Sequence, residues 1–342
     1  MSTGGGHIWA AASLLVRTTM TNTKTLATSL LSLSAAALLA VCAAGGATAA
    51  PASSQGDGQV ATQSVDNSSA ANYWTADRMR TAVPGDVLAS KALQRGYASS
   101  AAAVEKGSST RIAGKAGRGK TPLHADESPV SHIGKVFFTM GGSNYVCSGN
   151  SVVSNNKSTV STAGHCVNEG PGAFATNFVF VPPYLDGAAP YGKWAAKSLY
   201  TPTQWSSAGD MQYDTGFAVV SQLNGQNLAD VVGASGVQFN AARGLTYKSY
   251  GYPAAAPFNG ASLVSCTGPA SNDPYSPQFQ TQGIPCDMTG GSSGGPWFIG
   301  ADSSGYQNSI NSYGYGNRSE IMYGPYWGSV IQQAYSNASS AN

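Results

Sequence analysis

From Ile133 onward the chain is a succession of short β-compatible runs cut by Gly, Pro and Asn turns, and few architectures can be built from that pattern. Val136-Phe137-Phe138 and residues 145–153 alternate or run apolar over strand lengths. Ser154-Asn155-Asn156-Lys157 then interrupts before Val160, which is a hairpin signal. Further strands are expected at 178–181, 217–220, 245–252, 297–299 and 309–313. No amphipathic helix stands out before residues 330–335. Charged residues make up only 10% of the chain while glycine contributes 42 residues, a balance that fits a loop-rich all-β protein. At 342 residues there is room for two moderate domains plus extra segments, and residues 224–242 offer a divide between 126–230 and 231–342.

The first 125 residues have another character. Residues 1–50 are expected to be an export signal: Lys24 supplies the positive start, 26–44 is apolar, and Ala47-Thr48-Ala49 offers a small-residue cleavage site. Met20 would be a natural start for such a signal. A membrane anchor is the weaker reading, because the run is Ala-rich and barely long enough to span. Residues 51–72 are polar, lack periodicity and read as a disordered linker, while Tyr73 to Arg80 suits a short helix capped by Thr75 or Asp77. Gly107, Gly114, Gly117 and Gly119 lie among Lys and Arg in a stretch suited to cleavage. Residues 51–125 are therefore expected to be a basic propeptide, or a disordered basic leader that persists in the mature protein. Its charges are scattered without interleaved aromatics, which argues against nucleic-acid binding.

Removal of the signal would leave Cys147, Cys166, Cys266 and Cys286. Four cysteines in an exported chain suggest two disulfides with three possible connectivities. Sequential pairing closes two loops of about twenty residues, worth roughly 3 kcal/mol each. A metal site would want closer pairs, and none is expected.

Three motifs converge on nucleophilic catalysis. Gly290-Gly291-Ser292-Ser293-Gly294-Gly295-Pro296 places a serine where glycines permit the tight backbone that aims N–H groups at a developing oxyanion. A lone Gly/Ser loop is more often a flexible linker, but this one lies between Cys286 and the apolar Trp297-Phe298-Ile299. Thr162-Ala163-Gly164-His165-Cys166 supplies an imidazole, the base that makes a hydroxyl nucleophilic near neutral pH. In Tyr213-Asp214-Thr215-Gly216-Phe217 a carboxylate leads into an apolar strand, suited to fix the imidazole tautomer. Asp186, Asp210 and Asp230 compete for that role, but Asp214 alone directly precedes an apolar strand.

Taken in this order, TAGHC, YDTGFAVV and GGSSGGP resemble the chymotrypsin-type serine peptidases, and most closely the secreted bacterial branch with V8-like and actinobacterial trypsin-like members. Subtilisin-like and α/β-hydrolase enzymes use other orders. The resemblance covers about residues 130–335 and implies two antiparallel six-stranded Greek-key barrels, the site between them, and a short C-terminal helix. It implies a serine endopeptidase with His165, Asp214 and Ser293 as triad, backbone N–H groups of Gly291 and Ser293 as oxyanion hole, and no cofactor. Asn311-Ser312-Tyr313-Gly314 resembles the strand on which family members pair substrate main chain, so Ser312, Tyr313 and Gly314 are expected to bind substrate. The expected partners are polypeptide substrates and the chain's own propeptide as inhibitor or folding aid. Nucleic acid and stable membrane association are not expected, and the mature form is expected to be a monomer. An inactive protease-like binding module and an esterase using the same triad are the rival readings.

Two departures matter. Vertebrate members carry Asp immediately before the nucleophile, to pair with a freed N-terminus; here the residue is Ser292. Asp287 has the spacing of the trypsin-like specificity carboxylate, but Cys286 precedes it where the trypsin-like cysteine lies on the other side. No histidine follows His165, and Asn311 lies near the place of the V8-type histidine, which excludes a histidine-assisted Glu pocket.

Overall fold

The computed structural model describes residues 58–95, 107–112, 115–116, 126–316 and 320–342. The expected export signal lies outside them. Among the described residues no helix is long and apolar enough to cross a membrane.

Strands Ile133–Met140, Ser143–Val152, Thr159–Thr162, Gly216–Val220, Trp194–Pro202 and Thr176–Val181 pair in that cyclic order, each antiparallel to the next, and the last returns to the first. The result is a closed six-stranded barrel without a free edge. The apolar run at its start has a simple cause. Val136, Phe138 and Met140 point into the barrel core, while Ile133 and Phe137 join a second cluster with Tyr250, Tyr252 and Phe298. A strand buried on both faces shows no polar alternation. The interruption at 154–157 is a turn, with Lys157 at φ 56°.

The second half is built from a six-stranded sheet in the order Val264–Pro269, Thr246–Gly251, Pro296–Ile299, Tyr306–Ile310, Gly236–Phe239 and Thr110–Ile112. A three-stranded sheet of Ser271–Asn272, Gln282–Pro285 and Ile321–Gly324 lies beside it. Gly236 and Val237 pair parallel with Tyr306 and Gln307; the other pairings in these two sheets are antiparallel. Cys147–Cys166 and Cys266–Cys286 are the disulfides, so the pairing is sequential. The C-terminal helix, Ser329–Ser340, is longer than 330–335. Ile331, Ala334 and Ala338 enter the first barrel's core cluster, and Tyr335 donates to the Val153 carbonyl at 2.6 Å.

The region before residue 126 differs most from its reading as a disordered leader. Val60–Ser64 forms a strand on Trp194–Pro202, because main-chain pairing needs no apolar side chains. Trp74 is fully buried, its ring 5.3 Å from that of Phe137 and its Nε1 donating to the Asn177 carbonyl at 2.6 Å. Thr75 caps the helix Ala76–Thr81 as expected, accepting from the Arg78 N–H. A helix not read from sequence, Asp86–Gln94, buries Leu88, Ala89 and Ala92. Thr110–Ile112 and Lys115–Ala116, inside the stretch read as cleavable, pair with Gly236–Phe239 and Gly233–Ala234.

Candidate active site

Three chain segments far apart in sequence meet between the two halves. His165 sits in the 3-10 turn Gly164–Cys166, directly after strand Thr159–Thr162, and the Cys147–Cys166 disulfide ties that turn to the neighbouring strand. Asp214 follows the turn Met211–Tyr213 and leads into Gly216–Val220, which pairs with the histidine strand. This pairing delivers the carboxylate. Its Oδ1 accepts from the His165 backbone N–H at 2.8 Å, and its Oδ2 lies 2.8 Å from His165 Nδ1. Both side chains are fully buried. A carboxylate accepting at Nδ1 leaves Nε2 as the ring's basic nitrogen.

Each competing carboxylate is occupied elsewhere or exposed. Asp210 caps the 3-10 turn through the Gln212 N–H, Asp230 pairs with Lys157 at 3.1 Å, and Asp186 is exposed at φ 39°.

Ser293 lies in the glycine turn before strand Pro296–Ile299, with 4% of its surface exposed. Its carbonyl accepts from the Ser148 N–H at 2.7 Å, beside Cys147. The glycines around it are dictated by space. Gly291 has φ +94° and its carbonyl accepts from Ser148 Oγ at 2.9 Å. Gly294 has φ +81°, and a Cβ there would come within 2.7 Å of Ala163 N, which brings the serine loop against the histidine turn. His165 Nε2 is buried and has no hydrogen-bond partner. The Ser293 hydroxyl is thus not bonded to it in this conformation.

Ser312 lies close to both. Its Oγ donates to Asp214 Oδ2 at 2.5 Å, a contact that its motif did not announce. Ser312, Tyr313 and Gly314 line a cavity of about 480 Å³ together with Ser292, Ser293 and Asp287. Asp287 is exposed on the wall of this cavity. Ser292, at the position of the vertebrate Asp, donates to the Thr289 carbonyl at 2.8 Å. Asn311 is spent on structure: its amide donates to the Tyr250 and Ser292 carbonyls, and its oxygen accepts from Trp297 Nε1.

No protein-family model and no curated protein matches the chain, but solved structures do. Protease Anisep from Arthrobacter nicotinovorans is 76% identical over 64% of this chain and 99% of its own, with a TM-score of 0.63. The thermostable serine protease AL20 from an extremophilic microorganism is 52% identical over 62% of this chain and 99% of its own, with a TM-score of 0.61. The chain belongs to the bacterial chymotrypsin-like serine proteases. A Glu endopeptidase shares the fold at 20% identity, covering 67% of this chain and all of its own, with a TM-score of 0.50.

A helix from the region before residue 126 reaches this cavity. Asp86, Ala89, Ser90 and Gln94 line the same cavity as Ser293. The Asp86 carboxylate lies against Gly290: a Cβ on that glycine would meet it. Burial raises the Asp86 carboxyl above the ordinary range, partly opposed by electrostatic attraction to nearby His165. Ala89 and Ala92 pack in one cluster with Trp205, Tyr213 and Tyr313. Sequence gave no sign of this occupant, because two alanines and a leucine are a faint amphipathic signal.

Proposed function

We propose that this serine protease is an exported endopeptidase that acts through an acyl-enzyme on Ser293, with His165 as base and Asp214 as its orienting partner. The observation that carries the reading is the buried His165–Asp214 pair, whose remaining ring nitrogen is unpartnered beside the serine turn. A buried polar atom without a partner costs about 1–3 kcal/mol, which a catalytic proton transfer turns to use. Catalytic hydrogen bonds commonly tighten only with substrate bound, so an unbonded Nε2 is compatible with this role.

In the reaction, Ser293 Oγ attacks the peptide carbonyl as Nε2 takes its proton. Asp214 stabilises the imidazolium, and the Gly291 and Ser293 N–H groups hold the oxyanion. The imidazolium then protonates the leaving amine, and water attacks the acyl-enzyme with His165 again as base. Ser312 to Gly314 pairs with the acyl side of the substrate as an added strand. Two disulfides support an extracellular destination.

Residues 51–125 act as a propeptide that shuts the cleft. Anisep and AL20 match at most 64% of this chain over nearly all of their own length, so the remainder has no counterpart in them. The inhibitory part is helical over Asp86–Gln94. A helix spends its main-chain groups internally and cannot add to a sheet edge as substrate does. The preceding Val83–Pro84 pairs parallel with Tyr145 and Val146, and Gly85 N–H donates to the Val146 carbonyl at 2.8 Å.

The test is covalent labelling with a fluorophosphonate probe, followed by peptide mapping. Label on Ser293, and loss of casein cleavage on the order of 10⁶ in Ser293→Ala, are expected. A Ser293→Ala protein that digests casein at the wild-type rate removes the assignment.

A further inference from the structure

Beside the cleft lies a buried carboxylate that the proposed chemistry does not use. Asp273 begins the loop between strands Ser271–Asn272 and Gln282–Pro285 and is 1% exposed. Four donors converge on it. The N–H groups of Tyr275 and Ser276 donate to Oδ1 at 2.9 and 3.2 Å, which folds the loop back on itself. The phenols of Tyr313 and Tyr315 donate to Oδ2 at 2.8 and 2.7 Å. Tyr313 OH also lies 2.8 Å from Thr281 Oγ1, and Tyr315 OH lies 3.0 Å from Ser276 Oγ. Burial drives the Tyr313 phenol well above its ordinary range and that of Tyr315 up to about 12, so both remain donors at neutral pH.

Tyr313 lines the wall of the cleft, and Tyr315 packs behind it. Tyr313 follows Ser312 and stacks on Tyr323 at 5.1 Å and 15°. Tyr315 meets Tyr313 edge-on at 5.7 Å and Tyr323 at 5.4 Å. The backbone of Tyr313 is already paired with Tyr323 in both directions, so the main chain is fixed without Asp273. The ring tips are what the carboxylate holds. The loop is also tied to the catalytic side, since Gln280 N–H donates to Gln212 Oε1 at 2.8 Å, two residues before Asp214. What rests on the wall now is apolar: Ala89, Ala92 and Leu93 share its cluster.

We propose that Asp273 is a positioning residue for substrate selection, holding Tyr313 and Tyr315 as a wall that takes apolar side chains preceding the scissile bond. The inference rests on the reading of Ser293 as nucleophile and of Ser312 to Gly314 as the substrate-pairing edge. A wall made only by packing would tolerate small ring rotations. One whose ring tips are hydrogen-bonded to a buried anion presents a defined surface to an incoming side chain.

The experiment compares wild type, Asp273→Asn and Tyr315→Phe, each recovered from expression of the full chain and normalised by fluorophosphonate titration. The substrates are a tetrapeptide amide with apolar side chains before the scissile residue, the same amide with glycines there, and a single-residue ester. Asparagine offers one acceptor where the carboxylate offers two, so it cannot satisfy phenols and backbone N–H groups together. Asp273→Asn is expected to raise KM for the apolar tetrapeptide about tenfold with a much smaller change in kcat, the effect of about one lost hydrogen bond. Its preference over the glycine peptide should collapse, and the loss on the ester should be several-fold smaller. Equal losses on all three substrates, or an intact apolar preference, overturn the proposal. If Asp273→Asn does not accumulate as folded protein, Tyr315→Phe decides: it keeps the ring, removes one donor, and should cost about threefold in KM on the apolar peptide alone. An unchanged KM there overturns it equally. A wild-type chain that the probe never labels at Ser293 sinks the catalytic reading instead.

Discussion

Ser312 donates its hydroxyl to Asp214 Oδ2 at 2.5 Å, so the carboxylate facing His165 is held from both halves of the molecule. A buried carboxylate must have its lone pairs satisfied, and here the His165 backbone, the His165 ring and Ser312 share the task. Ser312→Ala is expected to lower kcat about tenfold, the worth of one hydrogen bond to a charged group. Asp214→Asn should cost on the order of 10⁴, because an amide in this place favours the wrong tautomer. Steady-state kinetics on titrated enzyme checks both, and wild-type turnover in either variant contradicts the assigned geometry.

Gly294→Ala should abolish folding of the serine loop. Its φ is +81°, and a Cβ would sit 2.2 Å from Thr162 Oγ1 and 2.4 Å from the Ser148 carbonyl. Gly225→Ala is the control: φ is +74°, but nothing lies within 4 Å. That substitution should cost only about 1–2 kcal/mol in urea unfolding. Similar losses at the two sites would show that backbone hand, not space, governs the loop.

Lys135 links stability to pH. It is 3% exposed, its ammonium lies 4.3 Å from the Tyr184 ring and 3.0 Å from the Gly260 carbonyl, and burial lowers it from 10.5 to about 7. The unfolded chain therefore binds more protons than the folded one between about pH 7 and 10.5, and this group's contribution to stability rises with pH across that window. Below pH 7 both states are charged and the full burial penalty stands. Lys135→Met is expected to flatten the rise between pH 7 and 9 and to add about 1–3 kcal/mol at pH 6. Urea titrations at three pH values read it, and an unchanged slope would assign the rise to other groups.

The helix in the cleft has a prediction of its own. Ala89→Arg combined with Ala92→Arg forces two long cations against Tyr313 and Trp205. In the full chain, probe labelling of Ser293 should then accelerate at least about tenfold before any backbone cut, since the displaced contact is worth a few kcal/mol. Equal labelling rates of the two uncut chains would show that the helix does not restrain the site.

His165, Asp214 and Ser293 could be nominated as the proposed triad from residues alone because each is marked locally. A cysteine beside the histidine, an apolar strand after the aspartate and glycines about the serine are short-range demands of backbone geometry. The same holds for the strands of the first barrel, where the apolar runs at 136–138, 178–181 and 217–220 all enter the fold as strands. The polar segment 60–64 defeated the same reasoning, since its strand is made by hydrogen bonds to Trp194–Pro202 that any sequence offers. The helix Asp86–Gln94 failed for the opposite reason: its buried face is mostly alanine, which carries little hydrophobic contrast.

Local chemistry, then, is written along the chain: which residues we propose as nucleophile, base and carboxylate, and where the backbone must turn. Folding alone decided their company. Ser312 reaches Asp214 across 98 residues, Asp273 gathers Tyr313 and Tyr315 from about 40 residues away, and a helix from before residue 95 comes to rest at Ser293. Such contacts depend on how two sheets and a leading segment pack, and the energy of that packing is spread over many distant side chains rather than carried by any short motif.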